Sequence, residues 1–162
     1  MSPRTIVRVL LGSAMVFAGV AHLTFLRSDF DAQVPSWFPL PETFTVVASG
    51  VVEIALGAAF ALWHARRREV GLMLAVFYVV IFPGNIGQYV EGVSAFGLDT
   101  DAARYQRLFF QPVLVLLALW GGESLRPADG VPRWPWEKHP RAVVGGVVVL
   151  LLGAALLAPL WR

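Results

Sequence analysis

Long apolar stretches alternate with short polar segments along the chain. Five of them approach the roughly 20 apolar residues that a helix needs to cross a bilayer core. They cover residues 6–25, 44–63, 70–89, 108–121 and 142–161. The fourth is the shortest, and we expect its helix to begin earlier, near Ala103. The pattern predicts an all-α integral membrane protein, with a four-helix transmembrane bundle and a C-terminal fifth transmembrane helix.

A polar segment rich in proline and tryptophan separates the last apolar stretch from the other four. The sequence therefore predicts three parts: a four-helix transmembrane core at 1–121, a cytoplasmic linker at 122–141 and the fifth transmembrane helix at 142–162. Trp134 and Trp136 suit the headgroup region, where tryptophan is enriched, and we expect them to anchor the linker there. In the loop before the second stretch, Pro35, Pro39 and Pro41 are expected to prevent helix formation.

Composition indicates the class of protein, and the placement of charge predicts its orientation in the membrane. The chain is 57% hydrophobic and only 15% charged, which is more apolar than an average soluble domain. If the helices alternate, nine basic residues fall on the side of the N-terminus, and four fall on the other side. Basic residues concentrate in cytoplasmic loops, so the N-terminus is predicted to be inside. This placement describes a multi-pass protein whose partner is the lipid bilayer, and it gives no indication of nucleic-acid binding.

The basic residues are biased toward arginine, since twelve are arginine and one is lysine. This bias suggests a GC-rich bacterial genome. We therefore expect the protein in the bacterial cytoplasmic (inner) membrane.

Glu53 is an ionisable residue near the middle of the second apolar stretch. A charged side chain at that depth costs about 2.5–3.5 kcal/mol, so it usually faces protein or water. Glu53 shares a helical face with Ser49 and Gly57, at spacings of four, and small residues on a face let a neighbouring backbone approach. We predict that Glu53 is buried in the bundle and is either protonated or paired with a cation such as His22 or Arg107.

Polar side chains in the other apolar stretches are predicted to lie at one depth, in the outer half of the bundle. The candidate ligand-binding pocket or polar core consists of His22, Ser49, Glu53, Asn85, Gln88, Arg107 and Gln111. Pro83 and Pro112 fall at the same level, and each leaves a helix carbonyl without its usual donor. We expect helix kinks at these prolines, with nearby amides bonding the freed carbonyls.

Each of these residues also has a purely structural interpretation. Glu53 could form an ion pair that locks helix packing, with Arg107 or His22 as its partner. Asn85 and Gln88 could serve only the proline-interrupted backbone, and Arg107 could extend to the outer headgroups. The sequence leaves these alternatives open.

Several kinds of chemistry find no support in the sequence. The chain has no cysteine, so it performs no thiol chemistry by itself. It contains no zinc-protease motif, nucleotide-binding loop or nucleophile elbow. One carboxylate and one imidazole are too few to indicate a metal site. The sequence therefore assigns no catalytic residue and does not indicate a self-contained enzyme.

Four short motifs resemble the DoxX family of small bacterial membrane proteins. They occur in the family's order, as "GVAHL", "VPSWFPLPE", "SGVVEIALGA" and "FPGNIGQY". The chain differs from the family in having Leu23 after the histidine, a fifth helix and no cysteine. The resemblance implies a four-helix core and a family polar core made of His22, Glu53, Pro83 and Asn85.

What the resemblance implies about function is a role in redox systems, because members are described as membrane components of thiosulfate–quinone oxidoreduction and of oxidative-stress complexes. The resemblance implies a membrane subunit of such a system, which could be an oxidoreductase subunit. Its outer-half pocket could bind a quinone or another small lipophilic molecule. His22, Arg107 and Gln111 would donate hydrogen bonds to a carbonyl oxygen, and Glu53 would exchange a proton.

The alternative is a non-catalytic accessory or assembly protein whose polar core is structural. Such a protein would contact a redox partner protein or a second copy of the chain. A conduit for protons or solutes ranks below both readings, because the inner half of each helix is apolar apart from Tyr78.

Overall fold

The computed structural model describes residues 1–125 and 139–161. Within these residues the chain is helical and has no strand. The helices are α1 (Pro3–Leu23), α2 (Arg27–Asp31), α3 (Glu42–Leu62), α4 (Arg67–Val90), α5 (Asp101–Leu108), α6 (Phe110–Gly121) and α7 (Pro140–Leu157), with 3₁₀ turns at His64–Arg66 and Ala158–Trp161.

Four of the described helical segments are long and apolar enough to cross a membrane. They are Pro3–Leu23, Glu42–Leu62, His64–Val90 and Ala142–Trp161. The all-helical class predicted from the apolar pattern is confirmed, and so is the presence of several helices of membrane-spanning length and hydropathy.

The stretch predicted as the fourth span consists of two helices. α5 begins at Asp101, where the side chain of Thr100 caps the first turn, so the helix does start before Leu108. The helix is interrupted at Phe109, and α6 follows with only 12 residues. Pro112 has no N–H for the carbonyl of Leu108, and a proline is tolerated in the first turn of a new helix. The interruption therefore places Pro112 where its missing donor costs least.

α1 and α3 form the most closely packed pair of helices in the described part of the chain. A Cβ atom built on Gly57 would lie 2.6 Å from the carbonyl oxygen of Gly12. One built on Gly19 would lie 2.5 Å from the carbonyl oxygen of Gly50. Only glycine leaves room for two backbones at this separation. These contacts hold the face of α3 that carries Glu53 against α1.

α4 and α6 form a second close pair, and the two pairs meet through contacts of α1 with α6 and of α3 with α4. α7 and the 3₁₀ turn after it pack onto this bundle, because Leu151, Ala155 and Ala158 belong to the same buried apolar cluster. The middle of the predicted linker, including the proposed anchors Trp134 and Trp136, lies outside the described residues.

One end of the bundle is rich in basic residues, and several of them form ion pairs or hydrogen bonds within the protein. Glu123, which follows α6, forms ion pairs with Arg4 at 2.9 Å and with Arg67 at 2.8 Å. Arg8 is buried, and its Nη1 donates to the carbonyl oxygen of Phe60 at 2.8 Å. That carbonyl lies in the last turn of α3, where a cation is favoured by the helix dipole.

Candidate ligand cavity

A cavity of about 920 Å³ lies between α1, α3, α4 and α6. It occupies the half of the bundle that is remote from Arg4 and Glu123, and the loop that follows α2 also lines it. Its walls are mainly apolar, and they include Leu11, Met15, Phe77, Ile81, Phe110 and Leu114. The volume falls in the range of small-molecule pockets, about 300–1,000 Å³.

Most of the polar residues singled out in the sequence line this one cavity. They are His22, Ser49, Glu53, Asn85, Arg107 and Gln111. Gln88 does not line it but is buried beside them and accepts a hydrogen bond from Arg107 Nη1 at 3.2 Å. Pro83 is also part of the lining, in an α4 that continues through it, whereas Pro112 is buried in the first turn of α6.

His22 and Glu53 form a close pair in the cavity wall. The distance between His22 Nδ1 and Glu53 Oε2 is 2.8 Å, and both side chains are almost fully buried. The same Nδ1 lies 2.9 Å from the carbonyl oxygen of Ala18, and one N–H cannot point at both oxygens. Among the described residues, Glu53 Oε2 has no well-aligned hydrogen-bond donor, so its contact with the imidazole is close but not of good hydrogen-bond geometry. The imidazole also stacks on Phe30, with 3.3 Å between ring centroids. Of the two partners considered for Glu53, His22 is the one that contacts it.

Amide side chains connect α4 with α6 at the same level. Gln111 Nε2 donates to the carbonyl oxygen of Tyr78 at 2.6 Å, and Asn85 Nδ2 donates to Gln111 Oε1 at 3.0 Å. Pro83 removes the donor that would normally bond the carbonyl of Val79. A nearby amide does bond the α4 backbone beside the proline. Its acceptor is the carbonyl of Tyr78, one residue before Val79, and not the carbonyl that the proline leaves free.

Arg107 points into this amide cluster. Its Cζ lies 4.8 Å from the centroid of the Phe96 ring. The amide of Gln33 lies 3.0 Å from both Nη1 and Nη2 of Arg107. In one orientation this amide would donate to Gln88 Oε1 at 2.9 Å and Asn85 Oδ1 at 3.3 Å, but its N–H groups would then face the guanidinium. A guanidinium only donates, so we assign the Gln33 oxygen to the side of Arg107.

Three residues of the site were not predicted from the sequence: Phe30, which lies in the short helix α2, and Gln33 and Phe96, which lie in loops. Loop residues carry no periodic pattern that would indicate which side chains turn inward. An indirect signal is Gly87 inside α4, where a Cβ would lie 2.7 Å from Cγ of Pro35. A glycine inside a helix often marks close packing of another segment, and here that segment is the loop that carries Gln33.

The cavity combines one carboxyl group, one imidazole, one guanidinium and several amides with apolar walls. These groups can bind and orient a ligand, and Glu53 and His22 can hold or exchange a proton. The described residues contain no group of three or more histidine, aspartate or glutamate side chains that could hold a metal ion.

No curated protein and no solved structure shows significant similarity to the chain. A family model described as a domain of unknown function (DUF8561) matches residues 11–121, the segment that contains all the candidate site residues. Because this match covers well over half of the sequence, the chain belongs to that family.

Proposed function

We propose that this protein binds a small lipophilic molecule, such as a quinone, in a pocket of the bacterial cytoplasmic membrane. The observation that carries the proposal is the cavity of about 920 Å³, in which apolar walls surround a few polar groups. Ligand pockets commonly have this composition, because apolar walls supply affinity and a few polar groups fix orientation. The resemblance to the DoxX family supports a role as a membrane subunit of a redox or oxidative-stress-associated system.

The proposed topology places the N-terminus in the cytoplasm, with α5 and α6 together forming the fourth span and α7 the fifth. Its support is the distribution of charge, since Arg4, Arg8 and the run 66–68 lie at the same end of the bundle. Cytoplasmic loops carry an excess of such residues. With this orientation the cavity lies in the outer half of the membrane.

The proposal is tested by purifying the protein from native membranes and identifying extracted small molecules by mass spectrometry. We expect a stoichiometric lipophilic compound with the wild type, and at least about a tenfold smaller amount with Glu53→Gln, since a charged hydrogen-bonding group contributes roughly 1.5–3 kcal/mol. Glu69→Gln is the matched control, because Glu69 is exposed at the opposite end of the bundle. Unchanged ligand content in both Glu53→Gln and Asn85→Ala would contradict the proposal.

A second candidate is an accessory or assembly protein whose polar core only specifies helix packing. It is favoured by the fact that several cavity groups already bond one another, as in the contacts of Asn85 with Gln111 and of His22 with Glu53. We would then expect a copurifying protein, either a redox partner or a second copy of the chain, and no small molecule. A Glu53→Ala protein that accumulates normally in membranes would count against this candidate.

A further inference from the structure

We infer that the ligand of this cavity is an anionic amphiphile, whose carboxylate or phosphate oxygens bind Arg107 and whose apolar chain fills the inner part of the cavity. The inference rests on the proposed function and makes it specific. It distinguishes an acidic lipophilic molecule from a neutral one such as a quinone.

The first step is the balance of charge around the cavity. Glu53 and His22 lie 2.8 Å apart, so the carboxyl group of the lining contacts the imidazole and forms no ion pair with Arg107. Arg107 takes part in none of the ion pairs found among residues 1–125 and 139–161. Nearby acidic residues do not neutralise it: Asp29 accepts from the backbone N–H of Phe96, and Glu91 accepts from the hydroxyl of Ser36. Asp31 has a buried Oδ1 without a hydrogen-bond partner, and it forms no ion pair with Arg107 either. Among the residues that the structure describes, the cavity guanidinium thus has no counter-ion.

Other arginines of the bundle have an acidic partner or bond the backbone, as Arg8 does with the carbonyl oxygens of Phe60 and Ala61. Arg4 and Arg67 share the carboxylate of Glu123, and Arg104 pairs with Asp101 at 2.8 Å. Arg107, one turn after Arg104, is only partly exposed and faces neutral amide oxygens and an aromatic ring. A cation removed from water without an opposite charge is costly, so binding an anion there would be favourable.

The second step is the chemistry of the guanidinium. Its planar N–H groups match two oxygens of a carboxylate or phosphate, and such charge-assisted bonds are stronger than bonds to a neutral carbonyl. The neighbouring side chains of Gln33 and Asn85 are uncharged, so they can adjust to an anion without competing electrostatically with it. Arg107 therefore favours an acidic head group over a quinone carbonyl.

The third step is the shape of the apolar part. On α1 the lining runs from His22 to Leu11, which is about 16 Å at 1.5 Å per residue. Beyond the polar groups this stretch is faced by Met15, Phe77 and Leu114. A head group near Arg107 would leave this space for a single hydrocarbon chain, which the hydrophobic effect would retain.

The test uses two probes that differ in charge but share one chain, palmitate and hexadecanol. Labelled palmitate is bound to the protein in nanodiscs of uncharged phosphatidylcholine, at a pH where the acid is ionised. Hexadecanol, a neutral short-chain ubiquinone and inorganic phosphate are then tested as competitors. We expect hexadecanol to compete at least about tenfold more weakly than unlabelled palmitate, the ratio that about 1.4 kcal/mol represents.

Variants link this difference to Arg107. In Arg107→Gln the preference for palmitate over hexadecanol should disappear, and in Arg107→Lys part of it should remain because the charge is kept. Arg66→Gln, at an exposed arginine of the opposite end, should bind as the wild type does. If Arg107→Gln does not fold, the comparison of the two probes on the wild type and on Arg107→Lys still decides the question.

The other outcomes separate this inference from the proposed function. If hexadecanol or the ubiquinone competes as well as palmitate, the inference fails while the proposed function stands. If phosphate alone competes as well as palmitate, the site recognises a free anion, and the amphiphile is wrong. If neither palmitate, hexadecanol nor the ubiquinone binds, both the inference and the proposed function fail.

Discussion

The buried pair of His22 and Glu53 can be tested by removing one partner while keeping the ring. His22→Phe preserves an aromatic ring against Phe30 but removes the Nδ1 that lies 2.8 Å from Glu53 Oε2. The two side chains are only 7% and 6% exposed, so the variant leaves a buried carboxyl group without the imidazole that contacts it. Removing one partner of a buried ion pair typically costs about 3–5 kcal/mol. We expect His22→Phe to lower the free energy of unfolding by that amount.

A double-mutant cycle isolates the interaction from other effects of the substitution. Glu53→Gln leaves a neutral acceptor for the imidazole and should cost about 1 kcal/mol. Once the carboxylate is gone, His22→Phe strands no charge, so the double variant should be about 2–3 kcal/mol more stable than the sum of the single changes predicts. The control cycle uses Arg66→Ala and Glu69→Ala, a pair that is 3.6 Å apart and 62% and 51% exposed. Its coupling should be about 0–1 kcal/mol.

Both cycles can be measured by reversible unfolding in mixed micelles, with dodecyl sulfate as the denaturant and circular dichroism as the signal. Each variant's midpoint and slope give its free energy of unfolding relative to the wild type. A coupling between His22 and Glu53 no larger than that of the exposed control pair would refute the reasoning, because the short contact would then contribute nothing beyond packing.

Two further predictions concern helix packing and the end of α3. Gly57→Ala should lower the free energy of unfolding by about 1–3 kcal/mol in the same titration, because its Cβ would lie 2.6 Å from the carbonyl oxygen of Gly12. The control is Gly146→Ala on α7, whose Cβ would meet nothing within 4 Å, so this variant should be neutral or slightly stabilising. Equal unfolding midpoints for the two variants would contradict this prediction. Arg8→Gln should lower the free energy of unfolding by about 1.5–3 kcal/mol, because it removes a buried charged donor from a helix end. Arg66→Gln should change that free energy by no more than about 0.5 kcal/mol. Thermal melting in detergent checks this second pair, and similar melting temperatures would show that the contact of Arg8 is dispensable.

The sequence predicted well those features that follow from periodicity and from the cost of burying charge. The apolar pattern located α1, α3 and α4 to within a few residues of their ends. Glu53 could be predicted as buried because a carboxylate at that depth needs a protein environment, and small residues such as Gly57 marked the face that would provide it. The polar side chains that converge on the cavity followed from the same reasoning, applied helix by helix.

Other features depend on competition between effects that a sequence does not resolve. Hydropathy continues across Phe109, so the pattern did not indicate where the helix would be interrupted, although Pro112 made an irregularity expected. The choice of His22 over Arg107 as the neighbour of Glu53 depends on the close packing of α1 against α3. Gln33 approaches Arg107 only because its loop packs onto α4, and that contact is a tertiary one.

The interruption at Phe109 also means that the apolar height of the protein differs around its circumference. α1, with 21 residues, is about 31 Å long, whereas the 12 residues of α6 extend about 18 Å, and the polar α5 continues from there. A bilayer core of about 30 Å matches the length of α1 and exceeds that of α6. Such a mismatch is accommodated by local thinning of the bilayer or by a tilt of the protein. In the proposed orientation, we expect the outer leaflet to dip beside α6, which would bring lipid headgroups and water down toward the level of Arg107.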